Sequence, residues 1–362
     1  MAIHNDNQRI AQLFGIEFPV IQAPMAGATT PAMVIAASEA GALGSLPAAL
    51  YSVEQFAAAM AEVRAGTARP VNANFFTHKT PAPDPVRTMA WRARLAPYYV
   101  QYGIDPGEPI PAAGRAPFDD AYCAVVEEFR PEVVSFHFGL PPEPLLERVR
   151  RTGAKIIASA TSVAEACWLE ERGVDAIVAQ GFEAGGHRGN FLTGDLEIAT
   201  AVGTMALVPQ VVDAVSVPVI AAGGIADHRG IHAAFALGAS AVQIGTAYLF
   251  TPEATLTEAH RKALRSARDN STALTNLFTG RPARGIVNRL MREVGPISDV
   301  APAFPTAGGA LLPLRKATEQ AAPGEFTNLW SGQAGPLGRE MSSAALTRYF
   351  CEACAEQGGR AG

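Results

Sequence analysis

AIVAQGFEAGGHRG (residues 176–189), VPVIAAGG (217–224) and AVQIGT (241–246) each run a short apolar, β-branched segment straight into glycine. None alternates polar with apolar residues, which is the pattern of parallel strands buried on both faces. The stretches Pro19–Met25, Leu43–Ala48, Val71–Phe76, Val133–Gly139 and Lys155–Ala160 read the same way. Helices are expected between them, and two open with a capping box, Ser52-Val-Glu-Gln55 and Ser162-Val-Ala-Glu165. The first carries Phe56, Met60 and Val63 at i, i+4 and i+7, one apolar stripe to lay against a sheet. Strands alternating with helices in this number predict an α/β fold, a TIM (β/α)8 barrel. A doubly wound sheet is the runner-up, but its glycine-rich turn follows the first strand, whereas here such turns follow strands six, seven and eight.

Two stretches interrupt the repeat. Residues 77–118 are rich in Pro, Arg and Tyr, and residues 266–362 run on beyond the last strand. The expected division is a barrel over 1–76 and 119–265, with 77–118 and 266–362 forming a small second domain. This insertion and C-terminal extension should cap the barrel mouth, where βα loops carry function.

The chain has 362 residues, 48% of them hydrophobic, which is ample for a large core and excludes a disordered or fibrous class. Its formal net charge is −5, and Lys and Arg are scattered, so no basic stripe points to nucleic acid or an anionic membrane surface. The first ten residues are polar, and no apolar run approaches the roughly 18 residues of a membrane span. Cys123, Cys167, Cys351 and Cys354 are too few and too unevenly placed for a secreted disulfide framework, so a soluble protein of the reducing cytoplasm is expected. Cys351-Glu-Ala-Cys354 has CxxC spacing but stands alone, and it reads as part of a terminal helix rather than a metal or redox site. No other His, Cys, Asp or Glu spacing suggests a metal. A homodimer is left open as an assembly.

The chemistry concentrates at predicted strand ends. Gly185 and Gly186 let backbone approach a flat ligand and project His187 from the loop at the barrel mouth, where its ordinary pKa of about 6.5 suits a general base. Gly223, Gly224, Gly245 and Thr246 lie in the turns after strands seven and eight, which in such barrels hold a phosphate. Gln22, Asn72, Asn74, Gln180 and Gln243 offer both donors and acceptors to the edge of a heterocycle, and Ala23-Pro24-Met25 offers backbone and a soft apolar side chain to its face. Together they suggest a flavin pocket. His137 also sits at a strand end, either as a substrate or flavin ligand or as a histidine bonded to backbone. No Walker A loop, GxGxxG fingerprint or GxSxG elbow is present.

The segments QAPMAG (22–27), VNANFF (71–76), FHFGLP (136–141), GFEAGGHRG (181–189), AAGGIAD (221–227) and ALGASAVQIGTAYL (236–249), in that order and spacing, resemble the nitronate monooxygenases. The match spans about Phe18 to Phe250, with a looser echo in Leu329-Trp-Ser-Gly-Gln-Ala334. The resemblance implies an FMN-dependent TIM barrel with a small second domain that oxidises alkyl nitronates with O2 and needs no reduced nicotinamide. It implies that His187 is the catalytic base and that Met25, Asn74, Gln180, Gly185, Gly186, Gly223, Gly224, Gln243, Gly245 and Thr246 line the FMN, with Asn72 competing for the role of Asn74. His228 stands where relatives often carry Gly, and is expected to alter the turn near the phosphate. Tyr98, Tyr99 and Tyr102 in the insertion, and Arg315 or Lys316 in the tail, are candidates to hold a nitro group or substrate carboxylate.

Two rivals accompany this reading. An FMN-dependent enoyl-acyl-carrier-protein reductase shares the barrel and a GGH motif but consumes NAD(P)H, and a non-catalytic flavin-binding barrel would have no use for His187.

Overall fold

The computed structural model describes residues 9–107, 109–110, 114–194 and 196–359, and side chains as far as Ala355. Most of the polar N-terminal stretch, with His4, lies outside these residues. Strands β1 (Val20–Gln22), β2 (Gly44–Pro47), β3 (Val71–Phe76), β4 (Val133–His137), β5 (Lys155–Ala160) and β6 (Ala176–Gln180) are followed by a two-residue strand, β7 (Gly186–His187), and then by β8 (Val219–Ala222) and β9 (Ala241–Ile244). All but β7 join one parallel sheet in the order β1-β9-β8-β6-β5-β4-β3-β2. The ring closes between its end strands. Gln22 N–H donates to Leu43 O and Leu43 N–H donates to Val20 O, each at 2.9 Å. The chain is a TIM barrel, and each of the eight apolar stretches supplies one of its strands.

Of the two expected capping boxes, one is complete. Ser52 Oγ accepts from Gln55 N, and Gln55 Oε1 accepts from Ser52 N at 2.9 Å. At the second, Ser162 accepts from Glu165 N, but the Glu165 carboxylate turns elsewhere. It accepts from Thr161 N at 2.7 Å and from Leu192 N at 3.1 Å, and so ties this helix to the loop that follows His187. Fully buried, it is stabilised by these several donors.

Three apolar clusters define the layers. One fills the space between the strands and the outer helices, and a second, including Ile10, Phe14, Ile21, Val133 and Ile220, plugs the end of the barrel interior. The third joins Trp91, Leu95, Tyr98 and Tyr99 of the insertion to Leu277, Leu290, Met291 and Phe326 of the extension. Insertion and extension therefore share one core. The extension also contributes β10 (Thr272–Thr275) and β11 (Ala283–Ile286), an antiparallel pair to which β7 adds its two residues, His187 opposite Ala283.

The expected boundary at the C-terminus needs correction. The Ser343–Gly359 helix is not part of the cap but returns to the barrel, where Leu346, Phe350, Cys351 and Ala353 enter the main core. This distant segment packs over β1, between the Pro31–Glu39 and His228–Ala236 helices, and so completes the outer layer that a parallel barrel sheet needs. His228 Nε2 donates to Tyr349 O at 2.6 Å and His232 Nε2 to Ala353 O at 3.0 Å. The His228 ring also stacks on Tyr349, so this residue pins the returning helix. Cys351 and Cys354 lie on the same helix as free thiols, and burial pushes the Cys351 thiol up to about 12 and raises that of Cys354. Among the described residues no helix is long and apolar enough to cross a membrane.

Candidate active site

A cavity of about 350 Å3 lies at the C-terminal ends of the barrel strands. Ala23, Met25, Asn74, Gln180, Gly185, Gly186, His187, Gly223, Gly224, Gln243, Gly245 and Thr246 all line it, as does His137. The pattern follows from the fold, because the residue just past each strand in such a barrel faces the mouth.

Other expected residues fall elsewhere. Asn72 shares a face with Asn74 but sits two residues, about 7 Å, further down the strand. Its Nδ2 donates to Ser45 Oγ at 3.0 Å within the barrel interior, and the residue is not in the cavity wall. Tyr98 and Tyr99 belong to the apolar stripe Trp91, Leu95, Tyr98 that the Pro85–Gln101 helix turns into the second core. Tyr98 packs edge-on against Phe326, and Tyr99 donates to Ala310 O at 2.5 Å. The Tyr102 hydroxyl accepts from Arg289 at 3.1 Å. Lys316 is exposed on the Leu312–Thr318 helix, and Arg315 is turned to the carbonyl of Phe326 at 3.1 Å. None of these five residues lines the cavity.

His137 touches the cavity, yet both ring nitrogens serve the protein. Nε2 lies 3.1 Å from His187 O, and since a carbonyl only accepts, this nitrogen carries the proton. Nδ1 then accepts from Ser159 Oγ at 2.9 Å. Desolvation lowers its pKa to about 4, so it stays neutral near pH 7. Both ring nitrogens of His137 are thus engaged in holding the GGH loop to the barrel. Gln180 acts alongside it, donating to His187 O at 3.0 Å and accepting from Gly189 N at 2.8 Å.

His187 is thus held from several sides. Its backbone pairs with β11, its carbonyl receives two donors, and its Nε2 lies 3.0 Å from Thr279 Oγ. Thr279 Oγ donates its own proton to Arg281 O at 3.3 Å, which assigns the ring proton to Nε2 and leaves the Nδ1 lone pair without a partner among the described residues. Desolvation, reinforced by the nearby Arg115, His137, Arg281 and His78, holds the imidazole well below its ordinary range. A neutral imidazole with one open lone pair can accept a proton from substrate.

The remaining walls suit a flat heterocycle with polar edges. The Gln243 carboxamide bonds to no described residue, and Asn74 uses only its Nδ2, donating to Ser135 Oγ at 2.9 Å. Glycine backbone forms the cradle. A Cβ on Gly185 would stand 2.5 Å from Gly332 N and 2.7 Å from Ser331 C, and one on Gly332 would stand 2.8 Å from Glu183 O. Gly223 and Gly224 adopt φ of +109° and +74°, which only glycine takes without strain. Thr246 Oγ accepts from Gly332 N at 2.8 Å, which fixes the 329–334 segment against the GGH loop. Free carboxamides and bare peptide edges are the donor set a flavin ring requires, so the residues present fit that group.

Arg115 and His260 also line the cavity and had no local signal in the sequence, whereas Phe76, Trp330 and Gly332 line it from within stretches that carry the resemblance. The faint echo at 329–334 was the one hint of Trp330 and Gly332.

The profile of the nitronate monooxygenase family matches residues 7–352. A nitronate monooxygenase of Pseudomonas aeruginosa is 40% identical over 95% of this chain and 98% of its own length. Among solved structures, the nitroalkane oxidase of Streptomyces ansochromogenes is 36% identical and superposes with a TM-score of 0.86 over 98% of this chain and 99% of its own. FabK of Thermotoga maritima is 26% identical with a TM-score of 0.72, covering 98% and 97%. The profile match runs from the plug of the barrel to the returning helix, and it places this chain in the nitronate monooxygenase family.

Proposed function

We propose that the cavity holds FMN and that the protein uses O2 to oxidise alkyl nitronates, and the nitroalkanes from which they derive, to carbonyl compounds with release of nitrite or nitrate. The supporting observation is the neutral, firmly held His187 facing a glycine-edged, amide-lined cavity. Gln243, Asn74 and the peptide edges of Gly185, Gly223, Gly224 and Gly245 would hold the cofactor, with Ala23 and Met25 against it. When bound, a flavin supplies the acceptor for electrons drawn from substrate.

The chain's own residues do the rest. A nitroalkane is a carbon acid, and His187 Nδ1 takes its α-proton, the positive charge that forms being tolerated once the product is an anion beside it. Thr279 keeps the ring in the tautomer that leaves Nδ1 open. Phe76, Phe304 and Trp330 ring the imidazole, with centroids 5.9, 5.2 and 5.6 Å away, and shield it from water. Four free thiols support a reducing cytoplasm as the working compartment.

The test is oxygen uptake by purified protein, with its released flavin identified by chromatography. Nitronates should drive oxygen uptake, the flavin should be FMN, and NADH should not bleach it anaerobically. Released FAD, no flavin at all, or rapid bleaching by NADH with turnover of an enoyl thioester would overturn the reading in favour of the reductase or carrier.

A further inference from the structure

The cavity contains a cation that the chemistry above leaves unused. Arg115 lies near the end of the insertion, just ahead of Phe118, whose N–H donates to Phe76 O at 2.7 Å and so ties the segment to the end of β3. Its side chain lines the cavity, and its Cζ lies 5.9 Å from the centre of the Phe304 ring. That same ring stands 5.2 Å from the imidazole of His187. Arg115 and His187 therefore share one aromatic wall.

No carboxylate answers the charge. Arg115 Nε is shielded from solvent without a hydrogen-bond partner, and among the described residues no acid pairs with the guanidinium. Glu183 is the acidic side chain in the cavity wall, and it is committed to Thr204, accepting from its N at 2.8 Å and from its Oγ at 2.9 Å. A guanidinium stays charged at neutral pH, and leaving such a charge enclosed and unpaired is costly unless an anion arrives to meet it. Its planar fork matches two oxygens carried on one atom.

We infer that Arg115 binds an anionic oxygen pair of the substrate, and so selects planar two-oxygen anions over neutral nitroalkanes. The inference rests on the function proposed above. Two groups carry this chemistry, the N–O oxygens of the nitronate itself and a carboxylate elsewhere on the same molecule.

The experiment compares FMN-loaded wild type, Arg115→Met and Arg115→Lys on propane-2-nitronate, the nitronate of 4-nitrobutanoate, and neutral nitroethane. In Arg115→Met the KM for a nitronate should rise about 10- to 100-fold with kcat little changed, the range lost when a charged hydrogen bond is removed. Arg115→Lys should recover part of the loss, and the KM for nitroethane, which binds uncharged, should change much less than that for either nitronate. Equal losses on both nitronates assign the nitronate oxygens, and a loss confined to the second assigns the carboxylate. Nitrate, a planar anion, should perturb the flavin absorbance of wild type saturably and that of Arg115→Met much more weakly. Unchanged KM for both nitronates at full FMN occupancy overturns the inference, as does a wild-type spectrum that nitrate leaves unaltered. If Arg115→Met loses FMN instead, the Lys variant decides: normal KM values there would reassign Arg115 to the cofactor. A wild type inactive on every nitronate defeats the functional reading itself and is seen before any variant is compared.

Discussion

The imidazole Nε2 of His137 donates to the backbone carbonyl of His187 at 3.1 Å, so one histidine sets the position of the other. Through Ser159, His137 is also bonded to β5, and the active loop is thereby fixed to two adjacent barrel strands. Replacing it with Phe keeps a ring in place and removes the donor. Gln180 still serves the carbonyl, so the cost belongs at the low end for an impaired buried hydrogen bond, about 1 kcal/mol. His137→Phe should lower kcat about 10-fold by loosening His187 while leaving substrate KM nearly unchanged. A KM increase that outweighs the kcat loss would make His137 a substrate ligand after all.

Gly185 and Gly186 are neighbours with different constraints, and alanine separates them. The Cβ of Gly185→Ala meets the Gly332 and Ser331 backbone at 2.5 and 2.7 Å, so one wall of the cradle must move. At Gly186 nothing stands within 4 Å, and the substitution carries only the strain of φ +72°, about 1–2 kcal/mol. Gly185→Ala should therefore bind FMN at least about 10-fold more weakly, since close backbone approach is what that glycine provides. Gly186→Ala should lower the melting temperature with a smaller effect on flavin affinity. Fluorescence titration of apoprotein with FMN measures both, and equal losses would remove the distinction.

The strand-end motifs were legible because glycine at the C-terminal end of a barrel strand has a local reason to exist, namely backbone that must come close to something. Tyr98 and Tyr99 misled for a related reason. Their helical spacing marks an amphipathic face, but spacing does not say whether the face meets a cavity or a second core, and Leu277 and Phe326 claim it here. Thr279 and Phe304 reach His187, and Arg115 approaches the same Phe304 ring, from three separate segments with no motif around any of them. The Ser343–Gly359 helix was hidden because a barrel helix normally follows its strand directly, and here a domain intervenes. β7 carries no strand signal of its own, since two residues have no periodicity and only pairing with β11 makes them a strand.

Acid should weaken the fold. Desolvation lowers His78 and His137 to about 4, with Arg281 adding to it at both and Arg115 at His78. The folded pKa values lie below the ordinary 6.5, so between pH 6.5 and 4 the unfolded chain binds protons that the folded chain refuses. Stability is therefore whole above pH 6.5 and falls as pH drops through that window. His78 is 7% exposed, and the Arg115 backbone beside its ring opposes the shift only in part, so His78→Leu chiefly removes one titration. Urea unfolding at pH 7 and pH 5 should show the wild type losing more stability than the variant, by about 1 kcal/mol after allowance for solvent screening. Identical losses would mean that His78 does not titrate as its surroundings imply.

Thr279 and His187 together test whether the imidazole removes a proton or only shapes the loop. His187→Asn keeps a polar side chain but accepts no proton at neutral pH, so it should affect the deprotonation step alone. A positioned base contributes typically about 10²- to 10⁴-fold, and nitroalkane oxidation should fall within that range. A preformed nitronate has already lost its proton, and its oxidation should fall far less. The imidazole is held well below its ordinary range, so the acid limb of the wild-type nitroalkane profile should lie below pH 6.5, because His187 is the neutral base down to its depressed pKa. Thr279→Val removes the acceptor for Nε2–H and frees the ring to adopt the other tautomer, which places the proton on the nitrogen that must accept one. It should lower nitroalkane turnover about 10-fold with little effect on nitronate, and Thr279→Ser should restore most of it. All variants are compared at equal FMN occupancy, because a collapsed loop would depress both substrates by losing cofactor. Equal losses on nitroalkane and nitronate, with flavin retained, would assign His187 to binding, as a neutral donor or loop anchor, and Thr279 would then matter only for the packing of β7 against the second domain.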